Sequence, residues 1–123
     1  MSTISLDADN FRNTIEKNDI VILDFWAPWC GPCQTFGPIF EKVSEEHEDI
    51  VFAKVNTEEQ QELAGAFQVR SIPTLIIFRD NIIVYAQPGA LPESGLKQII
   101  EKVKELDMDE VRADIEKQQA EQQ

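Results

Sequence analysis

Apolar positions along this chain alternate between two spacings, and the alternation outlines its elements. Ile20-Val-Ile-Leu-Asp-Phe-Trp26 is a nearly continuous apolar run rich in β-branched and aromatic residues, as a strand covered on both faces reads. Phe36, Phe40 and Val43 recur instead at helical spacing, and Ile39 widens their stripe. Pro38 sits inside that helix, where it removes a backbone donor and should kink it. Ile4 and Leu6 suggest a short first strand. Phe11 and Ile15, following Asp7 and Asp9, suggest a first helix with acids at its start. Val51 to Val55 reads as a further strand, and Leu63 and Phe67 mark a short helix containing Gly65. Thr74 to Phe78 and Ile82 to Tyr85 are strands close enough for an antiparallel hairpin. Leu96, Ile99, Ile100, Val103 and Leu106 stripe a closing helix. The expected class is α/β, in the order βαβαβαββα, with a mixed sheet flanked by helices on both faces. Chemistry in such sheets collects at the carboxyl ends of the strands.

The chain's 123 residues suit one domain with a single core. Its formal charge of -12 argues against nucleic acid as a partner, because phosphate binding needs a basic patch and the eleven Lys and Arg are scattered. The N-terminal stretch has no basic segment followed by an apolar run, and no apolar stretch is long enough to span a bilayer. The expectation is a cytoplasmic protein with no membrane association, acting as a monomer. Charge is uneven: residues 105–123 hold seven acids and two bases. We therefore divide the chain into a domain of residues 1–106 and an acidic extension, 107–123. Met108, Val111 and Ile115 keep helical spacing there, and Asp107 or Asp109 could cap a helix. The stripe of the closing helix, however, would run on through the charged Glu110 and Asp114, so a break is expected near Asp107. The polarity of the extension favours a frayed, solvated tail over one packed on the domain or on a second molecule.

The candidate chemistry lies in Trp26-Ala-Pro-Trp-Cys-Gly-Pro-Cys33, which holds both cysteines of the chain and directly follows the expected central strand. A structural staple is disfavoured, since the pair closes too short a loop to constrain the unfolded chain much. A zinc site needs four ligands, and the only histidine, His47, lies in an acidic run where it reads as a solvated residue at a helix end. A redox pair fits best. With Cys30 at a helix N-terminus, Pro32 falls in the first turn, where its missing N–H costs nothing. Backbone donors and the helix dipole would then stabilise a Cys30 thiolate, the attacking species in disulfide exchange. Cys33, one turn on, would be the less exposed, resolving thiol.

Asp24 interrupts an otherwise apolar strand. A carboxylate buried there is costly to ionise and suited to moving a proton, here that of Cys33. Lys54 interrupts its own strand in the same way and is the natural counter-charge, although it could also be an exposed edge lysine. Pro73, in Ser71-Ile-Pro-Thr74, precedes an apolar strand, and spacing alone does not decide between cis and trans.

Taken together, Asp24-Phe-Trp-Ala27, Trp29-Cys-Gly-Pro-Cys33, Pro38, Lys54 with Asn56, Ser71-Ile-Pro-Thr74 and Gly89-Ala90 resemble the thioredoxin family, from about Ile4 to Leu106. The resemblance implies the thioredoxin fold and a protein disulfide reductase, with Cys30, Cys33, Asp24 and Lys54 at the reacting centre. It implies a cis Pro73 beside the cysteines and a flat, apolar docking surface made of Trp29, Gly31, Pro32, Ile72, Pro73, Gly89 and Ala90, with Ile72 pairing to an extended client. It implies no bound cofactor and no metal, disulfide-containing client proteins, and re-reduction by thioredoxin reductase, whose NADPH and FAD belong to that partner. The Gly-Pro between the cysteines resembles the reducing members. An alternative function is a thioredoxin-fold binding subunit or scaffold of a larger enzyme. Gln34, where a lysine or arginine is common, Pro88, and Asp80-Asn81 in place of Asn-Gly depart from the pattern.

Overall fold

The computed structural model describes residues 2–122. Its elements are β1 (Thr3–Ser5), α1 (Phe11–Lys17), β2 (Ile20–Trp26), α2 (Gly31–Ser44), β3 (Val51–Asn56), α3 (Gln61–Ala66), β4 (Thr74–Arg79), β5 (Ile82–Pro88), α4 (Glu93–Glu105) and α5 (Met108–Glu121). The strands form one sheet in the order β1-β3-β2-β4-β5. β2 lies at its centre, parallel to β3 and antiparallel to β4, which explains its unbroken apolar sequence.

Strand alternation divides the core between the two faces of the sheet. Ile20, Ile22, Phe52, Leu75 and Ile77 pack with Phe36 and Phe40 of α2 and with Leu96 and Ile100 of α4. Val21, Leu23, Phe25, Ala53 and Ile76 pack on the other side with Ile15 of α1 and Ala64 of α3. Asp24 and Lys54 therefore fall on the α2 face, the face that also carries the cysteine helix.

Some boundaries differ from the sequence reading. Leu6 lies just past β1 but is buried, its N–H bonded to the Lys54 carbonyl at 2.9 Å. Asp7 sits ahead of α1 rather than in it, its carboxylate accepting the N–H groups of Asp9 and Asn10 at 2.9 Å. β5 runs on to Pro88, with a bulge opposite Ile77 and Phe78. The hairpin turn is made by Asp80 and Asn81, with φ of 53° and 66°. This is the left-handed region that Asp and Asn tolerate best after glycine.

The extension departs most from its favoured reading. It is helical, capped by the Asp107 carboxylate, which accepts the N–H groups of Asp109 and Glu110 at 3.0 and 3.3 Å. Met108 is buried, and Val111 and Ile115 are half-buried beside Ile82, Ile83 and Val84. Arg112 bonds to Asp80 of the hairpin turn at 3.1 Å and to Asp109 at 2.8 Å. The expected break is present, and Arg79 is built into it. Its Nη1 donates to the carbonyls of Val103 and Leu106, each at 2.7 Å, satisfying acceptors that the end of α4 leaves open. Polarity alone pointed to fraying because it counted neither the cap nor these tertiary partners. His47 is likewise not a freely solvated residue. Its ring stacks on Phe52 with centroids 6.4 Å apart, and its Nδ1 lies 3.1 Å from Lys104 Nζ.

Candidate active site

The two cysteines sit where β2 hands over to α2. Cys30 is the N-cap of α2, extended in backbone at φ −84° and ψ 113°, and Pro32 occupies the first turn. The Cys30 sulfur accepts the Cys33 N–H at 3.2 Å, one of the donors a helix start leaves unpaired. The pair is joined as a disulfide, with Cα atoms 5.2 Å apart. The expected difference in exposure is absent: Cys30 is 4% and Cys33 5% exposed, because in the disulfide form both sulfurs pack among Ala27, Trp26 and Ile72. What distinguishes the two is their surroundings. Cys30 Sγ lies 3.7 Å from the carbonyl of the half-buried Ile72, whereas Cys33 lines a hollow of about 370 Å³ with Trp26, Gly37 and Lys54.

Asp24 is 1% exposed, and neither of its carboxylate oxygens accepts a hydrogen bond from the described residues. Burial raises its pKa to about 7, and the charge of Lys54 opposes that rise without cancelling it. Lys54 stands opposite Asp24 in the β2–β3 register. It is not an edge lysine, since β1 lies on its far side. Its Nζ is 4.6 Å from the centroid of the Trp26 ring. Gly37, one turn beyond Cys33, is close enough that a Cβ there would lie 3.7 Å from Nζ. The carboxyl and the ammonium thus share the side of the sheet that carries the cysteine helix, and Lys54 and Cys33 line one hollow.

The Ile72–Pro73 peptide bond is cis. The Pro73 carbonyl accepts the Gly89 N–H at 2.8 Å, which ties the loop before β4 to the end of β5. Gly89 has φ of 111°, a conformation that favours glycine. Ala90 follows on the surface, Gly31 and Pro32 are exposed, and Ile72 is half-buried, whereas Pro73, expected on the docking surface, is buried behind it as the first residue of the apolar run into β4. Trp29 is 67% exposed, with its indole N–H donated to the Glu58 carboxylate. The sequence alone gives no sign of Glu58 in this role, since nothing but its place after β3 connects it to a tryptophan 29 residues earlier. Gln34, the departure from the usual basic residue, donates to the Pro28 carbonyl at 2.9 Å and so braces the turn into the cysteines. Among the described residues, no group of three or more His, Cys, Asp or Glu could hold a metal ion.

Comparisons with known proteins agree with this geometry. The sequence model of the family described as Thioredoxin matches residues 2–102. The protein named "Putative thioredoxin 2" from Streptomyces coelicolor is 54% identical over 119 residues, 97% of this chain and 89% of that one, so the likeness extends into the residues after Leu106. The protein named "Thioredoxin" from Porphyra purpurea is 38% identical over 104 residues, 83% of this chain and 97% of its own. Among solved structures, a mutant thioredoxin from Halobacterium salinarum superposes with a TM-score of 0.78 at 37% identity, covering 85% of this chain and 92% of that one.

Proposed function

Because this chain belongs to the thioredoxin family and is a thiol–disulfide oxidoreductase working through its own dithiol, we propose that it is a net reductant of protein disulfides, with Cys30 attacking and Cys33 resolving. In the reduced protein the Cys30 thiolate attacks one sulfur of a client disulfide, forming a mixed disulfide and releasing the first client thiolate. Cys33 then gives its proton to Asp24 and attacks Cys30 Sγ. The Cys30–Cys33 bond forms, the mixed disulfide breaks, and the second client thiolate leaves. Two electrons pass from the dithiol to the client.

The observation that carries this reading is the position of Cys30 as N-cap, with its sulfur on the Cys33 N–H at 3.2 Å. A donor and a helix start aimed at the sulfur favour the thiolate over the thiol. Asp24, held near neutrality in its affinity for protons, can accept one at working pH, and Lys54 steadies the charge it then carries. Trp29, Gly31, Pro32, Ile72, Gly89 and Ala90 form the docking surface, with the buried Pro73 shaping it from beneath and the Ile72 backbone open to an extended client. Re-reduction falls to a thioredoxin reductase that brings NADPH and FAD. The working form is a cytoplasmic monomer. No helix among the described residues is long and apolar enough to cross a membrane.

The test is the reduction potential of the Cys30–Cys33 pair, measured by equilibration in graded thiol and disulfide buffers. A value near that of the known thioredoxins, about −270 mV, supports net reduction, and one near that of the oxidant DsbA, about −120 mV, reverses the direction. Cys30→Ser should abolish turnover, which loss of a mere scaffold's thiol would not do.

A further inference from the structure

The docking surface continues past Ile72 in a direction that the chemistry of the cysteines does not use. β5 is an edge strand. Ala86, its partner to Ile76 in the register, and Pro88 are exposed. Together with Phe67, Val69, Ile76 and Arg70 they line a hollow of about 280 Å³. The hollow adjoins the docking surface along the chain: Ser71, on its wall, directly precedes Ile72, and Pro88 directly precedes Gly89, whose N–H is bonded to the Pro73 carbonyl. For scale, a cavity of about 150 Å³ admits a benzene molecule.

An extended client laid along Ile72 advances about 3.3 Å per residue and turns alternate side chains to the same side. A client running from Ile72 toward Ser71 would bring a side chain a few residues from its cysteine to this hollow. Arg70 is exposed at the rim and makes no ion pair among the described residues, so the rim offers a cation on a chain of net charge -12. Pro88, exposed at the end of β5, forms part of the lining.

We propose that this hollow is a client subsite, taking an aromatic or branched apolar side chain a few residues from the client cysteine, with an adjacent carboxylate drawn to Arg70. The proposal rests on the disulfide reduction described above and names the client class that such a reductase selects.

The experiment compares rates of reduction, by the full-length reduced protein, of peptide disulfides carrying Phe-Glu or Gly-Gln on either side of the cysteine, beside the small symmetric disulfide of 2-mercaptoethanol. The Phe-Glu peptide should react about tenfold faster in one of the two placements. Ala86→Trp, on an exposed edge position, should erase that advantage while leaving the small disulfide unaffected, and Arg70→Gln should remove only the part due to Glu. Equal peptide rates, or an advantage that survives Ala86→Trp, would overturn the subsite while leaving reduction intact. No reaction with the small disulfide would remove both readings.

Discussion

Asp24 sets the behaviour of the site at the scale of single residues. Its pKa of about 7 means that between about pH 4 and pH 7 it is protonated in the folded protein and ionised in the unfolded chain. Folding takes up a proton in that window, so stability falls as pH rises through it. Asp24→Asn should accordingly match the native protein near pH 4 and exceed its stability at about pH 8, by up to about 4 kcal/mol, in denaturant titrations at the two values. An equal gain at both would show that ionisation is not what costs stability. The same substitution should slow release of the client from the mixed disulfide by about tenfold at neutral pH in stopped-flow measurements. That is less than general-base catalysis can supply, because the hollow beside Cys33 leaves water as a second acceptor. The residues were legible here for a simple reason: a charge inside an apolar strand and two cysteines at a strand end are local anomalies. Glu58 under Trp29 and Trp26 under Lys54 were not legible, since each pairs residues far apart in the chain with no local signature.

Elements joined by continuous apolar patterns were read almost to the residue, as β2 and the core of α2 show. Those held by polar contacts were not, and α5 is the clearest case. Its hold on the domain depends on the Asp107 cap, the Arg112–Asp80 pair and the apolar side chains of Met108, Val111 and Ile115. Asp107→Ala should cost about 1 kcal/mol, read as a fall in the thermal midpoint of a few degrees. Deleting the chain after Leu106 should lower it further, since Met108 is buried and the hairpin turn would lose Arg112. An unchanged midpoint in the truncated protein would mean that α5 rests on the domain without stabilising it. Neither change should alter the reduction potential, because β4 runs antiparallel to β2 and places Arg79 and Asp80 at the end of the sheet away from Cys30.

The molecule as a whole carries a formal charge of -12, and this sets how clients approach it. Encounter with a basic client should slow as salt is raised from about 10 mM to about 150 mM, and encounter with an acidic one should quicken, because the screening length shortens from about 30 Å to about 8 Å. Rates insensitive to salt for both would place the controlling step after encounter.

The sheet order also governs how the chain comes together as it is synthesised. β2 emerges early, and β3 can cover one of its edges as soon as Asn56 is free, with β1 closing on the outside of β3. The other edge of β2 belongs to β4, which begins only at Thr74. Until that segment arrives, a nascent chain presents Ile20 to Trp26 as an open, apolar template, the kind of edge along which unfinished proteins pair with one another. The most buried strand of the finished protein is thus its most exposed liability on the ribosome.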